Sequence, residues 1–222
     1  MNQAGHRRSN FDAESVSYGM IGITLKPDML RYTPKGFWAS EEQARLGTGR
    51  DRFELAREQL WQWQVHLNAG LVVQDVVPGD QDGYRGITDV ESSHDENEEL
   101  FTEQGFSWVA PGARITQQTV VLGVPIALPN RVVSVINEQD RAGYVLGTLP
   151  GSPLTGEQAF LLDYRADESV WFTVRQLAQV ANQKLKLLTP LLRWHQRLLT
   201  ARFLKALHPT AVATAIDPSS GA

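Results

Sequence analysis

The chain has 222 residues, 42% of them hydrophobic and 21% charged, with 21 Lys and Arg against 25 Asp and Glu for a formal net charge of −4. That balance is ordinary for a globular protein and excludes wholesale disorder and collagen-like repeats. A chain of this size can bury a substantial core. Cysteine is absent, which removes disulfides, thiol catalysis and thiolate metal sites. No apolar run approaches the roughly 20 residues that span a bilayer, and the basic residues His6, Arg7 and Arg8 have no apolar stretch behind them, so neither a transmembrane segment nor a secretory signal is read. The expectation is a cytoplasmic protein.

Residues 1–15 read as a flexible N-terminus, and 209–222 as a flexible tail. Between them, 16–208 reads as a single domain. Val16 to Leu25, rich in β-branched and aromatic residues, reads as an opening strand. Ser40-Glu41-Glu42-Gln43 has the pattern of a capping box, with Gly47 ending a very short helix. A second helix is expected from Asp51 to His66, because Phe53, Ala56, Leu60, Trp63 and Leu67 recur at spacings of three and four. Gly70 ends it, and Leu71 to Val77 reads as a strand.

The next segment carries Asp89, Glu91, Asp95, Glu96, Glu98, Glu99 and Glu103 with no Lys or Arg among them. Clustered like charges repel and bury nothing, so 89–104 reads as an acidic, solvated loop. Five strands are then expected at Ile115–Leu122, Arg131–Asn137, Gly143–Leu149, Glu157–Tyr164 and Ser169–Arg175. The joints between them hold Pro, Gly, Asn and Asp, and connections this short imply antiparallel neighbours. Thr189-Pro190 places a capping residue before a proline and announces a long helix that runs to about His208, with a helical lead-in from Asn182. From Ser169 to Ile216 every charged residue is a cation. This basic stretch could attract an anionic partner, yet no aromatic-plus-basic nucleic-acid motif accompanies it, and no nucleic acid is expected as a partner.

The element order is strand, two short helices, six strands and one long helix. That is an α+β chain in which a curved antiparallel sheet of about seven strands wraps around a C-terminal helix, the helix-grip arrangement of the START-like superfamily. A bent sheet has one concave apolar face, and a single helix closes it only partly, which leaves a cavity. A flatter α+β sandwich with a filled core is the alternative.

Two stretches carry a family resemblance. Tyr18-Gly19-Met20-Ile21-Gly22-Ile23-Thr24, Pro34-Lys35-Gly36-Phe37 and Leu46-Gly47-Thr48-Gly49, with Phe53 and Ala56, form the first. Gly143-Tyr144-Val145-Leu146-Gly147-Thr148-Leu149-Pro150-Gly151, with Gly156, Glu157 and Phe160, form the second and more specific one. Together they resemble the uncharacterised DUF1990 (UPF0548) family over roughly Tyr18 to Leu207. The resemblance implies no activity. In that family's pattern a histidine usually follows Thr-Leu-Pro-Gly, whereas this chain has Ser152, so no role resting on that histidine carries over.

Among candidate functional residues His195 is the most informative. Leu191, Leu192, Leu198 and Leu199 stand three and four residues to either side of it, so the imidazole shares the apolar face of the last helix and points toward the sheet. A buried imidazole must be neutral or hydrogen-bonded. It either meets a ligand in a cavity or is a core histidine satisfied by a neighbouring carbonyl or side chain. Strand alternation puts Phe160 and Leu162 on the core face and turns Glu157 outward, to accept hydrogen bonds from the 150–156 loop or to pair with an Arg, unless a bulge redirects it into the cavity. Tyr144 and Trp63 would make a cavity apolar and selective for flat or greasy molecules. The ligand-binding set expected from the sequence is therefore His195, Tyr144, Trp63, Glu157, Leu191 and Leu199.

The remaining patterns are negative. Leu46-Gly47-Thr48-Gly49-Arg50 lacks the further glycine and lysine of nucleotide-binding loops, and no Gly-x-Ser-x-Gly elbow exists for a Ser-His-Asp triad. The five histidines have no metal-ligating spacing. No metal and no cofactor is expected. Binding of an apolar small molecule or lipid between sheet and last helix is the reading these features favour. The alternatives are an enzyme using His195 with Glu157 or Tyr144 for acid–base work, and a regulatory module contacting an unidentified protein partner through its acidic segment or basic helix.

Overall fold

The computed structural model describes residues 16–79, 105 and 107–209. The expected flexible end at 1–15, the acidic loop 89–104 and the tail beyond Pro209 lie outside the described residues. Seven strands, β1 (Trp38–Thr48), β2 (Val72–Val77), β3 (Arg114–Val121), β4 (Val124–Asn137), β5 (Arg141–Thr148), β6 (Leu154–Tyr164) and β7 (Ser169–Val180), form one antiparallel sheet. The helices are α1 (Arg50–Trp61), α2 (Gln64–Asn68) and α3 (Thr189–Ala206), with 3-10 turns at Ile23–Leu25 and Gln183–Leu188. No described helix is long and apolar enough to cross a membrane.

The spatial order β1-β7-β6-β5-β4-β3-β2 is a meander from β2 to β7 with β1 added to the free edge of β7. From β3 to β7 the short joints dictate that neighbours in sequence are neighbours in the sheet, and β2 pairs with β3 across the longer connection 78–113. Register shifts at Arg45/Gly47, Val73/Asp75 and Val132/Ser134 place an extra residue in one strand of each pair. Such bulges bend a sheet, and here they help curve it around the helices.

The concave face carries Tyr144, Leu146, Phe160, Leu162, Phe172 and Val174, which pack with Phe53 and Leu60 of α1, Val65 of α2 and Phe203 of α3. The rings form a connected set, with Phe160 edge-on to Phe203 at 5.2 Å and Tyr144 at 5.2 Å from Phe160. This core engages the C-terminal half of α3, where Leu199, Phe203 and Ala206 are buried. In the N-terminal half Leu191, Leu192 and His195 are only half-buried. The helix is thus anchored at one end and lifted at the other.

The opening segment departs from expectation. Residues 16–25 do not form a strand. They make turns and one 3-10 turn and lie as a strap on the convex face, where Val16 and Leu25 pack on Val133, Val145, Ala159 and Leu161. Two features defeat the strand pattern. Gly22 adopts a positive φ of 82°, and the backbone N–H groups of Gly22 and Thr24 donate to a carboxylate instead of to a neighbouring strand. Gly147 makes room for the strap, since a Cβ there would lie 2.6 Å from the Tyr18 hydroxyl.

A second correction concerns Ser40–Gln43, which is strand and not helix. It belongs to β1, paired with β7 from Trp38↔Ala178 to Thr48↔Ser169, and Gly47 marks the bulge instead of a helix end. The capping pattern is a local preference worth about 1 kcal/mol, whereas pairing completes a ladder with β7 and seats Glu41 on Arg175 at 2.9 Å. The helix expected at 51–66 is divided. Trp63 takes a left-handed φ of 62° between α1 and α2, a conformation uncommon for a bulky residue. Its fully buried indole donates to the Ser107 carbonyl at 2.9 Å and holds the break in place.

Candidate functional site

Where α3 lifts from the sheet, a cavity of ≈100 Å³ lies between its N-terminal half, β3, β4 and the β5–β6 connection. Helical spacing brings Leu192, His195, Gln196, Leu199 and Phe203 to one side of it. On the opposite wall the period of two in β3 directs Gln117, Thr119 and Val121 inward. Ile126 and Leu128 of β4 and Leu146 of β5 add apolar surface, and Pro153 and Leu154 close the far side.

Polar side chains interrupt this lining: His195, Thr119, Gln117 and Gln196 between helix and β3, with Asn130, Thr148, Ser152, Thr155 and Gln158 elsewhere in the wall. His195 Nε2 lies 3.2 Å from Thr119 Oγ1. Gln117 is 3% exposed, and its Nε2 has no hydrogen-bond partner among the described residues. Gln196 is committed elsewhere, because its Oε1 accepts from Trp38 Nε1 at 2.6 Å. Burial lowers the His195 pKa below the ordinary histidine value, and the positive charge of Arg202 lowers it further, against a smaller opposing effect of a hydrogen bond with the Val120 backbone. At neutral pH the ring is therefore neutral and offers one donor and one acceptor.

The other residues expected at the site divide. Leu199 lines the cavity, while Leu191 is half-buried beside it and does not. Leu198, grouped with them by spacing, is 40% exposed. Tyr144 and Trp63 lie in the packed core and not in the cavity, and the reason is His66. This imidazole is wholly buried, its Nε2 is 2.9 Å from the Tyr144 hydroxyl, and its ring sits among Trp63, Phe160 and Phe203. It fills the space a ligand would need. Burial lowers its pKa to about 3 and raises that of Tyr144 well above the ordinary tyrosine value. His66 was not in the stripe read from the sequence, which continued from Trp63 to Leu67; the left-handed turn at Trp63 breaks the helical period and buries His66 while Leu67 is only half-buried.

Glu157 borders the cavity through its strand, yet its carboxylate serves the convex face. Oε2 accepts from the Tyr18 hydroxyl at 2.9 Å and from Gly22 N at 2.8 Å, and Oε1 accepts from Thr24 N at 3.0 Å and from the Thr24 hydroxyl. Its outward direction follows from alternation. Its partners are on the strap, and neither the 150–156 loop nor an Arg is among them. Gln117 and Thr119 were not singled out in the sequence. Their signal was the inward set Ile115, Gln117, Thr119 and Val121, which alternation alone could not separate from the opposite set. Ser152, at the position where the family pattern has histidine, lies on the cavity's edge.

Comparison with known proteins identifies the chain. The family described as a domain of unknown function (DUF1990) matches residues 17–92 and 93–206. The chain belongs to this family. A UPF0548 protein of Deinococcus radiodurans is 36% identical over 75 residues, which make up 34% of this chain and 38% of that protein, so the matched part spans well under half of the relative. The crystal structure of a conserved protein from Geobacillus kaustophilus superposes with a TM-score of 0.50 at 12% identity, covering 80% of this chain and 97% of that one. A hypothetical protein of Helicobacter pylori gives a TM-score of 0.49 at 11% identity, over 87% and 98% of the two chains. At such identities the Geobacillus likeness establishes the fold and nothing about chemistry. The seven-stranded antiparallel sheet around the C-terminal helix is the helix-grip arrangement expected from the sequence, and the signature at 143–160 forms part of that sheet. Within it Gly147 admits the strap and Glu157 fastens it.

Proposed function

We propose that this chain binds a small, largely apolar molecule bearing one hydrogen-bonding group, held between β3, β4 and the N-terminal half of α3. The observation that carries the reading is an apolar cavity in which His195, Thr119 and Gln117 converge. A native interior is normally packed to crystal density, and a lined void with the unpartnered Gln117 amide nitrogen in its wall has the makings of a receptor. At ≈100 Å³ the cavity accommodates a ring-sized body, and a longer chain needs outward movement of the loosely held half of α3. Acid–base catalysis finds less support. The carboxylate of Glu157 is saturated by four donors on the other face, and Tyr144 is sealed in the core by His66, so His195 has no titratable partner in the cavity among the described residues.

The test is occupancy. Native mass spectrometry of the purified protein, and titration with an anilinonaphthalene fluorophore, should both detect binding. Leu192→Trp, which fills the cavity from the helix side, should abolish it while leaving the melting temperature near that of the parent. A parent protein that takes up neither a co-purified molecule nor the fluorophore overturns the proposal. So does a Leu192→Trp protein that binds as well as the parent.

A further inference from the structure

The outer side of α3 is unlike an ordinary solvated helix face. Leu191, Trp194 and Leu198 recur at spacings of three and four and so form one stripe, and Leu187 and Leu188 precede it. Their exposure is high: Leu187 92%, Leu188 46%, Trp194 53% and Leu198 40%. From Gln183 to Ala206 the charged residues are Lys184, Lys186, Arg193, Arg197, Arg202 and Lys205, with no Asp or Glu. All of these cations are exposed, and none forms a salt bridge among the described residues.

A second apolar element stands nearby. At the tip of the β3–β4 hairpin Val120, Leu122 and Val124 are 61%, 76% and 56% exposed. The hairpin meets α3 at the Thr119–His195 contact, and Val121 and Ile126, which interleave with the exposed residues, line the cavity. The hairpin and the lifted end of the helix thus border the same cavity, through Val121 and Ile126 on one side and Leu192 and His195 on the other.

We propose that this surface docks on a lipid bilayer rich in anionic headgroups, with Leu187, Trp194, Leu198 and Leu122 entering the interface and the surrounding Lys and Arg meeting the headgroups. Amphipathic helices with bulky apolar residues on one side and cations beside them bind bilayers in this way, and an indole favours the interfacial depth. The whole chain carries −4, so the attraction is local to this face and is not a property of net charge. A second copy of the chain fits poorly, because a symmetric pairing would bring the same cations, none balanced by an acid among the described residues, face to face. The proposal does not depend on the cavity holding a ligand. It would, however, let a ligand pass between bilayer and cavity without crossing water.

Co-sedimentation with vesicles tests it. Vesicles of equal parts phosphatidylcholine and phosphatidylglycerol should pull down the protein in low salt, and vesicles of phosphatidylcholine alone should bind at least about tenfold more weakly. The double variant Lys184→Glu/Lys186→Glu should weaken binding by about tenfold or more, and Leu187→Ser/Leu188→Ser should weaken it without changing the melting temperature, since these side chains are exposed. Tryptophan emission should shift to the blue on vesicle addition, and Trp194→Phe should remove most of that shift. Failure to sediment with anionic vesicles overturns the proposal, as does equal binding to both vesicle types. Wild-type binding by both double variants does the same. So would a dimer in the absence of lipid that Leu187→Ser/Leu188→Ser dissolves, or tight binding to a homopolymeric RNA with no vesicle binding.

Discussion

Glu157→Gln should loosen the strap and destabilise the whole protein. Glu157 is 3% exposed, and each of its oxygens accepts from one hydroxyl and one backbone N–H: Tyr18 and Gly22 on Oε2, Thr24 and its own backbone on Oε1. A glutamine keeps the shape but replaces one oxygen with a donor. The hydroxyls of Tyr18 and Thr24 can rotate and accept from the amide, whereas a backbone N–H cannot. Whichever way the amide lies, one backbone donor faces another donor. Losing a hydrogen bond to a charged group costs about 1.5–3 kcal/mol, and weakening of the remaining bonds brings the total to about 2–3 kcal/mol. For a chain of this size that lowers the melting temperature by roughly 5–10 °C. Differential scanning calorimetry measures this shift, and hydrogen exchange should show faster exchange at the amides of Gly22 and Thr24. Tyr18→Phe, which removes one hydroxyl, should cost only about 1 kcal/mol. A Glu157→Gln protein that melts within about 2 °C of the parent, with unchanged exchange at those amides, would refute the view that this carboxylate fastens the strap.

Two further outcomes follow from the histidines. His66 has a folded pKa of about 3 against an ordinary value of 6.5, so below pH 6.5 the unfolded chain takes up a proton that the folded chain does not. Stability should therefore fall as the pH drops from 6.5 toward 3, by about 1.4 kcal/mol per unit from this group. In urea titrations at stepped pH, His66→Gln should lose that part of the slope, and an unchanged slope would contradict the assignment. His195 is also held neutral, so binding of an uncharged apolar fluorophore should be constant around neutrality and weaken only below the ordinary histidine value. His195→Leu should abolish that acid-side loss, and fluorophore titrations across pH that find the loss intact would place its source elsewhere.

The path from sequence to structure was open in some places and closed in others, for identifiable reasons. Six of the seven strands, β2 to β7, were announced by β-branched runs, and between β3 and β7 turn formers and short connections leave antiparallel pairing as the available arrangement. The exception is the start of β4, because Pro125, Pro129 and Asn130 read as a joint but lie within that strand. The inward aim of His195 followed from the leucines at three and four residues' distance, and the outward aim of Glu157 from alternation. Both are statements about which face of one element a side chain occupies, and the 3.6- and 2-residue periods contain that information. β1 and the strap were misread because each was decided by something distant in the chain. Ser40–Gln43 joined the open edge of β7, and Val16–Leu25 was pulled from strand geometry by a carboxylate more than a hundred residues away.

The site divides along the same line. That α3 presents an apolar face containing one imidazole is a property of local order. That a cavity opens in front of His195, while the space beside Tyr144 and Trp63 is filled by His66, depends on where α2 comes to rest against α3 and the sheet. Periodicity tells a side chain which way to point. What stands opposite it is set by packing between elements far apart in the chain, because close-packed volume is shared among all of them at once.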